Sequence, residues 1–383
     1  MNKRERKLPG SSECMVCRAC AYVCPKKCIE FPEDAGFFAP IINEKECIHC
    51  NRCVGVCPKI NKSKENKPLS TFAAVSQSEY VRERCSSGGI AEEIACEHIK
   101  RGGIVYGAEM NNVGVVSHVR INTVENLYKI RGSKYVRSNL SGVFDNIKAD
   151  LNHDLDVLFI GTPCQISAIK NVFAYSERLY TVDLVCHGIV PGAFFKEYFS
   201  HLKKKINGKV VHCEFRGRAG YGLALYDENE RIIYKGSLKN DQYFNEFYYG
   251  WLMSKNCFSC EYSSSNRVSD ITLGDFWGLG DNSLNTDLSK GISLVFTNTE
   301  KGELLFGRVS CKKEQRTLEE AVKGNSALRE CEKQGRISKW FYYRLKTHGL
   351  MHALNSCILP MKLLLIQKNG KIKIKNLLRA ISG

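Results

Sequence analysis

The sequence predicts a chain of mixed α+β and α/β class, with a small cysteine-rich N-terminal unit, a larger α/β domain and a helical C-terminal extension. Three observations predict it. Nine of the nineteen cysteines fall between Cys14 and Cys57, in two copies of one spacing. Apolar runs at 156–160 and 180–185 flank a helical stretch, which makes a strand-helix-strand unit with parallel strands. From about residue 313 the pattern turns polar and helical, as in 318–329 and 338–344.

The cysteine spacing is the most specific of these signals. Cys14, Cys17, Cys20 and Cys24 precede Pro25; Cys47, Cys50, Cys53 and Cys57 precede Pro58, so C-x2-C-x2-C-x3-C-P occurs twice at an offset of 33 residues. Three cysteines at such intervals wrap one iron-sulfur cube, and the fourth reaches the cube of the other copy. Two 4Fe-4S clusters are expected, one on Cys14, Cys17, Cys20 and Cys57, the other on Cys47, Cys50, Cys53 and Cys24. A zinc site or a disulfide framework fits the doubled spacing poorly. Cys28 stands outside the pattern and reads as packing.

A chain of 383 residues is too long for this unit alone, so the clusters serve a larger domain. Nineteen cysteines without an apolar signal segment point to a reducing compartment and a cytoplasmic location, and no apolar run is long enough to span a bilayer. The formal charge is +16. Each oxidised cluster brings about two negative charges, which leaves about +12 with two clusters and about +10 with three. The remainder is diffuse, and no nucleic-acid partner is expected. It concentrates only in 362–383, where five lysines and Arg379 meet no acidic side chain. A solvated helix is the plainer reading of that tail; docking on an acidic membrane surface or partner protein is the alternative.

The polar linker Asn61-Lys62-Ser63-Lys64-Glu65-Asn66-Lys67-Pro68 closes the first unit, which places boundaries at 1–68, 69–312 (parts 69–150 and 151–312) and 313–383. After a strand at 71–75, Ser86-Ser87-Gly88-Gly89 opens a helix with apolar Ile90, Ile94 and Ile99. Such a start can receive a flavin or nucleotide phosphate, and is equally a common cap. Strands at 104–108 and 114–121 lead to Arg131-Gly132-Ser133-Lys134-Tyr135, whose lysine can meet a cofactor or simply solvent. The strand at 156–160 ends in Gly161-Thr162-Pro163-Cys164-Gln165, and that at 180–185 in Cys186-His187-Gly188. Both cysteines are therefore expected at the carboxyl rim of one sheet, where open α/β folds bind ligands. With Cys257 and Cys260 they make four thiols, the ligand number of a third 4Fe-4S cluster or a structural zinc; the neighbouring electron carriers favour the cluster. Cys85 and Cys213 are the substitutes should one of the four not belong. His187 is a candidate proton donor, with a structural histidine as the plainer reading.

Taken in order, Ser86 to Gly89, Gly132 to Tyr135, Gly161 to Gln165, Asp183 to Gly188, Cys257-x-x-Cys260 and Asp270 to Gly278 resemble the coenzyme F420 hydrogenase/dehydrogenase beta-subunit family in a variant with a fused N-terminal ferredoxin. The resemblance spans about residues 10–300. It implies FAD near Ser86, Ser87, Gly88, Gly89, Ser133, Lys134 and Tyr135, with Thr162 and Gln165 on the same rim, and strengthens the third cluster. It also implies exchange of electrons with a small organic molecule: the deazaflavin coenzyme in namesakes, hydroxymethyl chlorophyll or sulfite in relatives. Two departures stand out: Cys85 replaces a small hydroxyl residue, and Phe215-Arg216-Gly217-Arg218-Ala219-Gly220-Tyr221 replaces a pattern carrying lysine and tryptophan. Relatives of this layout resemble members of surface-polysaccharide gene clusters.

The resulting expectation is an iron-sulfur flavoprotein oxidoreductase. Electrons from a reduced ferredoxin-like donor pass through 4Fe-4S clusters to FAD and on to a small organic acceptor, with Lys134 at the flavin and His187 as proton donor. The alternative is an electron-transfer subunit of a larger redox complex without its own substrate.

Overall fold

Short elements suffice at the N-terminus because cysteines, rather than a large apolar core, organise the chain there. The computed structural model of the protein describes residues 7–31, 39–173, 176–279 and 284–357. Helical turn α1 (Ala19–Tyr22) belongs to the first cysteine copy; ribbon β1 (Ile29–Glu30) and β2 (Ile41–Ile42) pairs antiparallel, and α2 (Arg52–Gly55) belongs to the second copy. The repeat is conformational as well as chemical. Val16 and Arg18 have φ of 53° and 64°, and their equivalents 33 residues on, His49 and Asn51, have 52° and 59°. Left-handed backbone at non-glycine residues costs energy and survives where the surroundings over-determine it, here the winding of three thiols around one point.

The larger unit starts with β3 (Ser70–Ser76), α3 (Glu79–Arg84), α4 (Ile90–Lys100), β4 (Ile104–Met110) and β5 (Val116–Ile121). It continues through α5 (Val143–Asn152), β6 (Val157–Gly161), α6 (Pro163–Phe173), β7 (Leu179–Leu184) and α7 (Gly192–Lys203). A three-stranded antiparallel sheet follows, β8 (His212–Gly217), β9 (Gly220–Tyr226) and β10 (Ile232–Lys235), and then α8 (Gln242–Tyr248). The chain returns through β11 (Ile271–Asp275), β12 (Ser293–Thr297), α9 (Glu300–Gly307), β13 (Cys311–Arg316), α10 (Leu318–Gly324) and α11 (Arg336–His348).

Eight strands form one mixed sheet in the order β13-β3-β12-β11-β7-β6-β4-β5. β4, β6, β7 and β11 are mutually parallel, and the remaining pairings are antiparallel, so β3 runs with the parallel set. Apolar cores cover both faces, which is why β6 reads as an unbroken run: Val157, Leu158 and Phe159 are all fully buried. The carboxyl ends of β3, β6, β7 and β11 share one rim. A third core gathers α7, α8, α11 and the small sheet.

The division expected at residue 312 runs through a strand. β13 pairs with β3 along Cys311 to Arg316, and α11 sends Phe341 and Leu345 into the core shared with α7 and α8. The described part of 313–383 is thus part of the main fold rather than an extension. The basic tail 362–383 lies outside the described residues. No helix among the described residues is long and apolar enough to cross a membrane.

Candidate electron-transfer site

Cys14, Cys17, Cys20 and Cys57 come together in the fold as a first group of thiols. All four are buried and line one cavity beneath Leu8, Phe31 and Pro58. Burial raises all four thiols, Cys20 to about 12, and Cys17 and Cys20 feel both Cys14 and Cys57. The Val16 amide donates to Cys14 Sγ at 3.3 Å, a consequence of the left-handed turn. The second group is more open: Cys24, Cys47 and Cys53 are half-buried and Cys50 is exposed. Cys53 interacts with Cys50 and Cys24. Sequence reasoning missed Glu44 and His49, whose ligand atoms lie with Cys47 Sγ within 4.8 Å of one another.

The third group also converges. Cys164 stands in the first turn of α6, Cys186 just past β7, Cys257 on a short 3-10 turn at 255–259 and Cys260 at the C-terminal cap of that turn. Cys186 feels Cys257, Cys164 and Cys260, and Cys257 feels Cys164 and Cys260, in a buried setting that raises the thiols and pushes Cys257 up to about 12. Four thiols with no disulfide among them, three of them raised by burial, are a soft donor set suited to a metal centre. Cys85 and Cys213 do not join them; both instead lie near Lys134.

Local bonding explains Thr162 and Gln165. Gln165 Oε1 accepts from Thr162 N at 3.0 Å and Thr162 Oγ1 at 3.1 Å, its amide donates to Ser138 Oγ at 2.9 Å, and Thr162 Oγ1 sits 3.3 Å from Cys164 Sγ. The pair shapes the turn that presents Cys164. Beneath Cys186, the fully buried Arg267 pairs with Asp183 at 3.0 Å and donates to Leu184 O at 3.1 Å and Ser264 O at 3.0 Å. One guanidinium thereby ties the strand before Cys186 to the loop after Cys260. Arg267→Met leaves Asp183 buried and unpaired, and is expected to lower unfolding free energy by about 3–5 kcal/mol in urea titrations.

The first and third groups are neighbours. Ser63 Oγ donates to Asn171 Oδ1 at 2.7 Å and to Ser167 O at 3.1 Å, which docks the N-terminal unit on α6. Tyr262, whose hydroxyl donates to Pro58 O at 3.0 Å, is close to Cys17 on one side and to Cys164 and Cys260 on the other. Arg137 likewise influences both Cys14 and Cys257. No motif marks either residue; tertiary packing brings them between the two thiol sets.

From Arg137 the chain runs back to the glycine-serine turns. Ser86 Oγ accepts from Ser133 N at 2.6 Å and donates to Arg216 O at 3.4 Å, joining both turns to the tip of the β8-β9 hairpin. Arg216 in turn pairs with Asp275 at the end of β11 at 2.6 Å. Ser87 Oγ is buried without a hydrogen-bond partner among the described residues. Gly88 serves packing: a Cβ there would stand 2.4 Å from Ala74 O and 2.7 Å from Ser293 N. Gly89, at φ +85°, provides the left-handed start of α4.

Lys134 donates to Arg131 O at 2.7 Å, and burial pulls its ammonium from an ordinary 10.5 down to about 7. Between these values the unfolded chain binds more protons than the folded one, so the lysine's penalty is full below pH 7 and fades towards 10.5. Lys134→Met is expected to stabilise the ligand-free protein by about 1–3 kcal/mol near pH 6 and far less near pH 10, read from urea midpoints. Tyr135 packs on Phe247, with ring centroids 4.6 Å apart. His187 is exposed beside Cys186.

Comparison with known proteins agrees with this geometry. Residues 13–61 match the 4Fe-4S dicluster domain, and residues 154–322 match the family described as the C terminus of the coenzyme F420 hydrogenase/dehydrogenase beta subunit. The chain joins a dicluster domain to the C-terminal domain of that beta-subunit family. It is accordingly an iron-sulfur electron-transfer protein of oxidoreductase type. Both matched segments contribute to the adjoining thiol groups described above. No curated protein matches the chain. Among solved structures, a chain of the F420-reducing nickel-iron hydrogenase complex from Methanosarcina barkeri, studied by xenon derivatization, is 20% identical with a TM-score of 0.47, covering 76% of this chain and 91% of that one.

Proposed function

We propose that the protein is an iron-sulfur flavoprotein oxidoreductase, which takes electrons from a ferredoxin-like donor and delivers them through FAD to a small organic acceptor in the cytoplasm. The carrying observation is the placement of Cys164, Cys186, Cys257 and Cys260 beside the buried Cys14, Cys17, Cys20 and Cys57. When bound, 4Fe-4S clusters carry single electrons and FAD holds two, which is the chemical reason to combine them.

The residues divide the work. Tyr262 and Arg137 interact with both thiol groups, and the buried Tyr262 shares one core with Cys17, Cys164 and Cys260. The segment from Ser133 to Arg137 spans at most about 14 Å when extended, so a flavin held at Ser86, Ser87 and Ser133 would lie within one short segment of the third thiol group. The unpartnered Ser87 hydroxyl and the start of α4 suit a phosphate. Lys134, poised near neutrality, would hold a proton or a positive charge against the reduced isoalloxazine, and the rim residue His187 would supply a proton to the acceptor.

Anaerobic purification with iron, zinc and flavin counted per chain tests the reading. About twelve irons and one FAD are expected. About eight irons with zinc would remove the third cluster, and absence of flavin would leave an electron-transfer subunit whose chemistry takes place on a partner, the reading that the beta-subunit match favours next.

A further inference from the structure

We propose that Cys28 is a reserve ligand of the second 4Fe-4S cluster, positioned to take over the iron otherwise held by Cys24. The inference rests on the reading that Cys24, Cys47, Cys50 and Cys53 hold that cluster. A cysteine kept only for packing needs apolar neighbours. Cys28 shares a small apolar cluster with Ile29, Phe31 and Ile42, but its Sγ stands 3.5 Å from Cys24 Sγ and it interacts with Cys47. It is 4% exposed, so the thiol faces the other cysteines and not solvent. Five thiols therefore gather where four are needed.

Backbone geometry fixes this arrangement. Between Cys24 and Cys28 the chain makes one tight turn, with Lys27 left-handed at φ 50° and its amide donating to Cys24 O at 3.1 Å. Cys28 O then accepts from Asn43 N at 2.8 Å, at the start of the β1-β2 ribbon. The two ends of the turn thus deliver their sulfurs to one point, and an exchange needs side-chain rotation rather than a new backbone path. In the exchange the iron-sulfur bond to Cys24 breaks, a bond to Cys28 forms, and the Cys28 proton passes to the Cys24 thiolate; no electron is gained or lost. This is the more open of the two N-terminal sites, since Cys50 is exposed, so a ligand lost there to oxidation can be replaced without losing the cluster.

The test uses the full chain, purified anaerobically, with iron per chain and low-temperature electron paramagnetic resonance of the reduced protein. Cys28→Val replaces the thiol with an apolar side chain and removes the donor. Cys28→Val alone is expected to retain the wild-type iron count and spectrum, and Cys24→Ala to retain the iron with an altered spectrum. The double variant is expected to lose about four irons. Cys24→Ala losing as much iron as the double variant would overturn the proposal, as would loss of about four irons in Cys28→Val alone. A wild-type chain lacking a second dicluster signal would refute the underlying dicluster reading, a different failure from either of these.

Discussion

Replacing Cys186 with alanine is expected to lower the iron content from about twelve to about eight per chain while leaving the dicluster spectrum in place. The expectation follows from where the side chain sits. Cys186 is the member of the third group that feels all three of its companions, and the arginine pair beneath it fixes the end of β7. With Cys186 gone three thiols remain, two of them, Cys257 and Cys260, raised by burial, and they offer a poor site for a cluster that takes four. Electrons from a reduced ferredoxin should then stop at the N-terminal clusters, and the visible spectrum of the proposed flavin should remain oxidised during anaerobic titration. Retention of about twelve irons would show that Cys186 is not a ligand. Retained flavin reduction with about eight irons would show that electrons bypass the third group.

The parts of this site that the sequence displays are those in which chemistry recurs at fixed spacing. The doubled cysteine motif specifies the crossed pairing, and the same left-handed positions recur 33 residues apart in the fold. The strand-helix-strand unit is legible because both faces of β6 are covered, leaving an unbroken apolar run, and β7 pairs parallel beside it, which places Cys164 and Cys186 on one rim. By contrast, Cys-Lys-Lys-Glu-Gln-Arg at 311–316 carries almost no apolar signal, because β13 is an edge strand whose ladder to β3 is made by backbone. A boundary drawn from composition therefore cut through the sheet. Arg137 and Tyr262 are single residues without a motif, and their position between thiol groups exists only after α6 has docked against the N-terminal unit. Gly88 reads in the sequence only as part of a phosphate-receiving or capping helix start; its packing role lies in the approach of Ala74 and Ser293, which sequence spacing does not display.

The asymmetry between the two N-terminal thiol groups orders the electron path, and Cys53→Ser tests that order. Cys14, Cys17, Cys20 and Cys57 are buried, with Tyr262 near Cys17, whereas the group of Cys24, Cys47, Cys50 and Cys53 reaches the surface at Cys50, two residues from the exposed Ile48. An external protein donor can approach the second group closely, and the first only through intervening protein. Cys53→Ser is thus expected to abolish reduction by ferredoxin while flavin remains bound, because Ser86, Ser87 and Ser133 lie in the other unit and do not depend on that cluster. A small reductant such as dithionite should still reduce the remaining clusters and the flavin. Unchanged reduction by ferredoxin would place the docking surface elsewhere. Loss of flavin together with ferredoxin reduction would mean that the contacts of Ser63 with α6 and of Pro58 with Tyr262 make the two units inseparable, so that the wiring and the flavin site fold as one.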